Sequence, residues 1–302
     1  MDNVKWLKTP RSGVLLSVAS SFLVSACSVG VKVSNTPVGE ITFITYLVLF
    51  ITSVLLSFNT NEKLFPKIEL PLLWGRTVFS LPIVIFSYKA VRLLPISDEA
   101  LIAYTSIIFT IILGRICLGE KCDKNKLTAS TGILTGVFLI TVGPAPVNSN
   151  YLNGCIFSLL GALCDACSYI VLKELVHLHY SVILFNYSLS SLILTAPFYF
   201  IEEWTCDFIP LFALSILGTL QELFITLALT TEQAGVVCMI HASDIIFSYG
   251  WELSLFNETY TFAKITGALL VSLSVIFSAY LPQNDDIALS EENHEEKQVS
   301  IV

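Results

Sequence analysis

Charge is scarce in this chain. Asp, Glu, Lys and Arg make up 13% of its 302 residues, against roughly 25% in an average soluble domain, which excludes an ordinary water-soluble globule. Basic residues are scarcer still, at 16 Lys and Arg against 24 Asp and Glu. A nucleic-acid partner is thereby excluded, because a polyanion requires a basic face. No Walker A motif, metal-ligand cluster or long polar insertion is present. ATP-driven work, a metal centre, a cofactor and an extramembrane enzyme domain are therefore not expected.

Cysteine is present but wrongly placed for a disulfide scaffold. Of the eight, Cys27, Cys117, Cys155, Cys164, Cys167 and Cys238 fall inside apolar runs rather than loops, as small packing residues do. Cys164 and Cys167 match a C-x-x-C spacing but lie mid-run without the strand–helix context of a redox motif.

Long apolar runs are what the chain has in abundance. With 54% hydrophobic residues and a mean hydropathy of +0.76, it contains runs at 13–32, 41–58, 70–90, 98–117, 128–144, 153–175, 181–200, 208–229, 234–256 and 262–281. A helix crosses a hydrocarbon core of roughly 30 Å in about 20 apolar residues. The fold class read from this is an all-α membrane protein of ten transmembrane helices. The first run stays apolar too long for a typical cleaved signal peptide and is expected to remain as a helix. Pro82 and Pro197 are expected to kink runs three and seven.

Lys and Arg accumulate on the cytoplasmic side of short loops. With the N-terminus inside, ten of them (Lys5, Lys8, Arg11, Lys63, Lys67, Lys121, Lys124, Lys126, Lys173 and Lys297) are cytoplasmic, against four outside, Lys32, Lys89, Arg92 and Lys264. Both termini are therefore expected in the cytoplasm.

Residues 90–120 align without gaps onto 228–258 at an offset of 138. Ile107-Ile108-Phe109 repeats as Ile245-Ile246-Phe247, Thr105 answers Ser243, Ala90 answers Ala228 and Glu120 answers Glu258. Each half holds five runs, and five is odd, so the halves form two inverted five-helix repeats, an arrangement typical of secondary transporters. The expected organisation is a short N-terminus (1–12), a first repeat (13–144), a second (153–281) and a tail (282–302).

The stretch Ala103-Tyr104-Thr105-Ser106-Ile107-Ile108-Phe109-Thr110, followed by Leu118-Gly119-Glu120-Lys121, resembles the fourth helix of EamA-type members of the drug/metabolite transporter superfamily. Glu232-Gln233-Ala234-Gly235 leading to Ala242-Ser243-Asp244-Ile245-Ile246-Phe247 is similar to the ninth helix of the subgroup G members of solute carrier family 35, relatives of nucleotide-sugar transporters. The family's closing glycine-glutamate pair stands here as Asn257-Glu258. The resemblance covers about 13–281 and implies that helices one, three, four, six, eight and nine surround a central cavity.

An ionisable side chain at the bilayer centre costs at least about 2.5–3.5 kcal/mol on insertion scales, so it should face a cavity or a partner. Arg76, Asp165, Glu222, His241 and Asp244 qualify, on runs three, six, eight and nine. Each lies on a polar stripe of helical spacing. Run nine carries His241, Asp244, Ser248 and Glu252; run eight Ser215, Gly218, Thr219, Glu222 and Thr226; run six Ser158, Gly161, Ala162, Asp165 and Tyr169. Run three offers Arg76, Ser80 and Ser87, run four Ser106, Thr110 and Gly114, and run one Ser17, Ser20, Ser21 and Ser28. Such small residues also serve close helix packing, but charges do not. Arg76, Tyr104, Ser106, Asp165, Glu222, His241, Asp244 and Ser248 form the candidate substrate-binding set. Arg76 can alternatively neutralise one carboxylate as a structural pair, and His241 and Asp244, three residues apart, should be neighbours on one helix face able to share a proton.

These features point to a secondary transporter of a small polar metabolite, in contact with lipid, possessing one Arg among three acids and so poorly suited to a diphosphate. A transporter-like membrane protein that regulates a partner through its tail is the second reading. An intramembrane aspartyl protease built on Asp165 and Asp244 lacks the glycine-rich context such pairs need. Gly132 and Gly136 form a G-x-x-x-G suited to packing within the chain or to a homodimer. The tail is acidic and expected to be disordered; its Ser300-Ile301-Val302 end suits a PDZ groove. The Asn257-Glu258-Thr259 sequon is expected to hug the membrane and stay unglycosylated.

Overall fold

The computed structural model describes residues 12–34, 36–58, 63–94, 99, 102–120, 124–141, 149–197, 204, 208–255 and 262–280. The N-terminal lysines, Lys121, Lys297, the sequon, Glu258 and the tail with its PDZ-type end lie outside the described residues. Every element among the described residues is helical. In chain order they are α1 (Ser12–Val33), α2 (Val38–Ser57), α3 (Leu70–Leu93), α4 (Ser106–Cys117), α5 (Lys124–Thr141) and α6 (Ser149–Glu174). There follow α7 (Tyr180–Thr195), α8 (Phe208–Thr231), α9 (Ala234–His241), α10 (Asp244–Leu255) and α11 (Phe262–Ala279).

Among the described residues five helices are long and apolar enough to cross a membrane: Ser12–Val33, Val38–Ser57, Leu70–Leu93, Ser149–Glu174 and Ile209–Thr231. Ser106–Cys117, Tyr180–Thr195 and Ile265–Ser278 are apolar but shorter. Polarity is arranged inside out. Leu15 is 72% exposed and Ile209 87%, while Ser17, Ser20, Ser21 and Arg76 are buried. Apolar side chains outside and polar ones inside suit a protein whose solvent is lipid. The integral membrane character expected from composition is thus present in the packing. The interior hydroxyls satisfy themselves locally, Ser17 donating to the Gly13 carbonyl at 2.9 Å, Ser21 to Ser17 at 2.7 Å and Thr42 to Val38 at 2.7 Å.

The most extensive helix pairings survive exchange of the two halves. α3 packs on α6 as α8 packs on α1; α4 packs on α6 as α9 and α10 pack on α1; α3 meets α7 as α8 meets α2. α2 with α7, α4 with α9 and α5 with α11 are each their own counterpart. The α5–α11 contact is where glycine is required. A Cβ on Gly136 would stand 2.8 Å from the Gly267 carbonyl oxygen, and one on Gly132 would overlap the Ser274 hydroxyl. The G-x-x-x-G face is therefore filled by the last helix of the same chain.

Runs four and nine are not continuous helices. Turns interrupt them at Tyr104-Thr105 and at Ala242-Ser243, two sites related by the 138-residue offset. The bridging hydrogen bonds match as well. Thr105 N–H donates to Ile102, Ile107 to Tyr104 and Ile108 to Thr105; Ser243 donates to Ile240, Ile245 to Ala242 and Ile246 to Ser243. Spacings of three residues mark a tightened turn inside each run. Pro82 does lie within α3. Pro197 does not kink a helix, because α7 ends at Thr195, and the residue preceding a proline is pushed out of helical geometry.

Candidate functional site

A cavity of about 220 Å³ lies among the helices. Its lining comes from α1, α3, the segment from Glu99 to Ser106, α6, α8 and the α9–α10 turn. Arg76, Tyr104, Ser106, Asp165, Glu222, His241 and Asp244 all face it. Ser248 does not line it: one turn further along α10, it is buried in packing. Thr110, Ser158, Ser215, Thr219 and Thr226 likewise lie outside the lining and are buried; Ser215 bonds its own helix at Leu211 and meets Thr45.

Arg76 is the best-determined member. It is 2% exposed, and its Nη2 stands 2.9 Å from Glu222 Oε2. The guanidinium carbon sits 4.1 Å from the centre of the Tyr187 ring, a cation–π contact, and the Tyr187 hydroxyl lies 2.9 Å from that of Tyr46. A buried cation is therefore paired with a half-buried carboxylate, the guanidinium held by aromatic packing from α2 and α7.

His241 and Asp244 are not arranged as expected. The turn at Ala242-Ser243 ends α9 at His241 and starts α10 at Asp244, and no ion pair joins the two side chains. His241 Nε2 instead lies 3.4 Å from Ser20 Oγ on α1, which also donates to the Gln221 carbonyl at 3.3 Å. Asp244 Oδ1 is enclosed without a hydrogen-bond partner among the described residues. Asp165 on α6 and Ser106, at the start of the half-helix that follows the first break, both face the cavity. Ser80 and Ser168 hydroxyls meet at 2.7 Å across α3 and α6.

The cavity holds a fourth carboxylate that the sequence reading passed over. Glu99 lines it at 9% exposed. Its signal was available, since Glu99, Ala103, Ser106, Thr110 and Gly114 continue one helical stripe. Tyr88, Ser168 and Gln221 also line the cavity.

The lining residues of α1 come from its C-terminal half, Val24 to Ser28, and those of the fourth run from its start. At the opposite ends of these helices polar contacts join the two halves. Glu120 Oε1 accepts the Ala234 backbone N–H at 3.0 Å, an anion at a helix N-terminus. Lys126 Nζ stands 3.9 Å from Glu120 Oε2 and donates to Gln233 Oε1. Lys173 caps the end of α8 by donating to the carbonyls of Leu229 at 2.9 Å and Glu232 at 2.7 Å. Gly13 lies against Thr231 and Glu232, with no room for a Cβ. Burial pushes the Glu232 carboxyl up to about 7, with Lys173 partly opposing it. Ties between Glu120, Lys126, Gln233 and Ala234 cross from the first half of the chain to the second.

A crystal structure of another protein superposes with a TM-score of 0.74 at 13% identity, covering 91% of this chain and all of that one, which establishes the shared fold. Solute carrier family 35 member G1 of Homo sapiens is 25% identical over 89% of this chain and 79% of its own length. Pseudopaline exporter CntI of Pseudomonas aeruginosa is 25% identical over 88% of this chain and 95% of its own. The EamA-like transporter family matches twice, at residues 11–142 and again at 152–280. Those two matches span nearly all of the helical chain, and it belongs to the EamA-like transporter family.

Proposed function

We propose that this protein is a secondary transporter that moves a small polar organic metabolite by alternating access, with the cavity as its substrate site. The observation that carries the reading is a single one. The interior charges converge on a cavity between the halves, and at the other ends of its helices Glu120 and Lys126 bond Ala234 and Gln233 across the two halves. A charge buried in lipid is costly unless it serves a path or a partner, and a central site between two repeats is the arrangement alternating access uses.

In this reading the chain crosses the membrane ten times as two inverted repeats, both termini cytoplasmic. The exchange symmetry of the helix pairing and the matched breaks in runs four and nine support it. Broken helices at the substrate level are a recurrent feature of such transporters. Asp244 or Glu222 exchanges a proton during the cycle; Glu222 is paired with Arg76, so Asp244 is the first choice. The relative named as a pseudopaline exporter supports a small organic molecule as the cargo.

Sealed vesicles containing the purified chain, offered a broad mixture of small metabolites and read by mass spectrometry, test the proposal. At least one solute should accumulate or be depleted relative to empty vesicles and to vesicles carrying Asp165→Asn, Glu222→Gln and Asp244→Asn together. Equal profiles in all three would instead favour the regulatory reading.

A further inference from the structure

Carboxylates outnumber cations in the cavity. Glu99, Asp165, Glu222 and Asp244 line it against Arg76 alone among the described residues, and the charge of Arg76 is already balanced by Glu222. The other acids differ in what surrounds them. Asp165 has the Ser106 hydroxyl near it on the cavity wall, and Glu99 lies within electrostatic reach of Lys32 at the end of α1. Asp244 has neither kind of help. Its Oδ1 is closed off from solvent and lacks a donor among the described residues, and Glu99, of like sign, lines the same cavity.

We infer that the transported solute carries an ammonium group, and that this group sits at Asp244 within the field of Glu99. The inference rests on the reading of the cavity as the substrate site and adds the chemical class of what binds there. A buried carboxylate without a donor is satisfied by a ligand that brings both positive charge and N–H bonds. A solute of net negative charge would instead enter a field of its own sign. Tyr88, Tyr104 and Tyr169 on the walls offer ring faces and hydroxyl oxygens that attract the same group. Arg76 keeps Nε and Nη1 without protein partners among the described residues. With its charge already neutralised, it suits an uncharged oxygen elsewhere on the solute. The solute is accordingly a small amine bearing a hydroxyl or carbonyl, and the cavity of about 220 Å³ falls below the roughly 300 Å³ at which drug-sized pockets begin.

Two pairs of probes with matched shape and opposite charge test this: 4-amino-1-butanol with 4-hydroxybutanoate, and tyramine with 3-(4-hydroxyphenyl)propanoate. Each is titrated against the purified full-length protein by thermal shift and then offered to vesicles containing it. At least one amine should stabilise the protein saturably while its matched anion does not. Glu99→Gln and Asp244→Asn should each weaken that binding at least tenfold, and Asp244→Glu should largely retain it. If Asp244→Asn fails to fold, the comparison of Glu99→Gln with Asp244→Glu carries the test. Preferential binding of the anions, binding of neither amine, or amine binding unchanged in the folded variants would overturn the inference. Uptake of an anion without amine binding would sink the ammonium assignment and leave transport standing. Amine binding that depends on Asp244 without any uptake would do the reverse.

Discussion

Arg76 and Glu222, 146 residues apart, meet at 2.9 Å in the interior of the protein. Removing one partner of a buried pair leaves an uncompensated charge, at a cost of about 3–5 kcal/mol, whereas replacing both by apolar or neutral groups can be nearly neutral. Arg76→Ala should therefore lower the melting temperature of the detergent-solubilised protein sharply, with loss of the Tyr187 contact adding to it. Arg76→Met combined with Glu222→Gln should recover much of that loss. A double variant as unstable as the single one would show that the pair is not the source of the effect.

Asp244 stands where the first repeat has Ser106, so the fold accommodates an uncharged side chain at this position. Asp244→Asn should remain folded and inserted in the membrane. Its residual transport at high solute concentration should no longer respond to an imposed proton gradient. A response equal to wild type in both Asp244→Asn and Glu222→Gln vesicles would remove proton exchange from these two residues.

Glu232 lies between α8 and α9, outside the spanning helices, and its folded-state value of about 7 exceeds the ordinary 4.5. A raised carboxyl value means that the folded state holds the proton more tightly than the unfolded one. Stability from this group is fully present below about pH 4.5 and is lost as pH rises through 7. The wild type should lose stability over that window, and Glu232→Gln should flatten the profile and melt higher at pH 8. Parallel melting curves at pH 5 and pH 8 for the two proteins would contradict this.

Gly136 allows α5 to approach the backbone of α11, where even a Cβ would stand 2.8 Å from the Gly267 oxygen. Gly136→Leu should abolish the monodisperse folded protein on size-exclusion chromatography. Gly75, around which a Cβ meets nothing within 4 Å, is the control. Gly75→Ala should be tolerated or stabilising by up to about 1 kcal/mol.

The proposed ten-span arrangement predicts that Asn125 and Asn150, at the start of α5 and of α6, face opposite sides of the membrane. Single reporter cysteines there, in an otherwise cysteine-free background, should be modified by an impermeant reagent from opposite sides. Labelling of both from one side would refute the ten-span topology.

Composition and local pattern determined much of this protein. The scarcity of charge and the apolar runs dictated a helical membrane protein, because lipid admits only backbones that satisfy their own hydrogen bonds. The offset of 138 residues marked the repeat, and charges that lipid would reject marked the cavity: seven of the eight candidate side chains line it. Helical spacing carries that information because it decides which residues share a face.

What spacing cannot specify is the partner across a gap between helices, or the point where a helix stops being regular. His241 and Asp244 are three residues apart, yet a tightened turn separates them and sends His241 toward Ser20 on α1. Nothing local chooses Glu222 over Asp165 as the mate of Arg76. That choice came from the packing of α3 against α6 and α7, with Tyr187 placed beneath the guanidinium. Ser248 carried the same signal as Asp244 and was turned into packing by α10. Tertiary structure made these decisions because buried polar groups are satisfied by distant segments, and only the packed helices fix which segments those are.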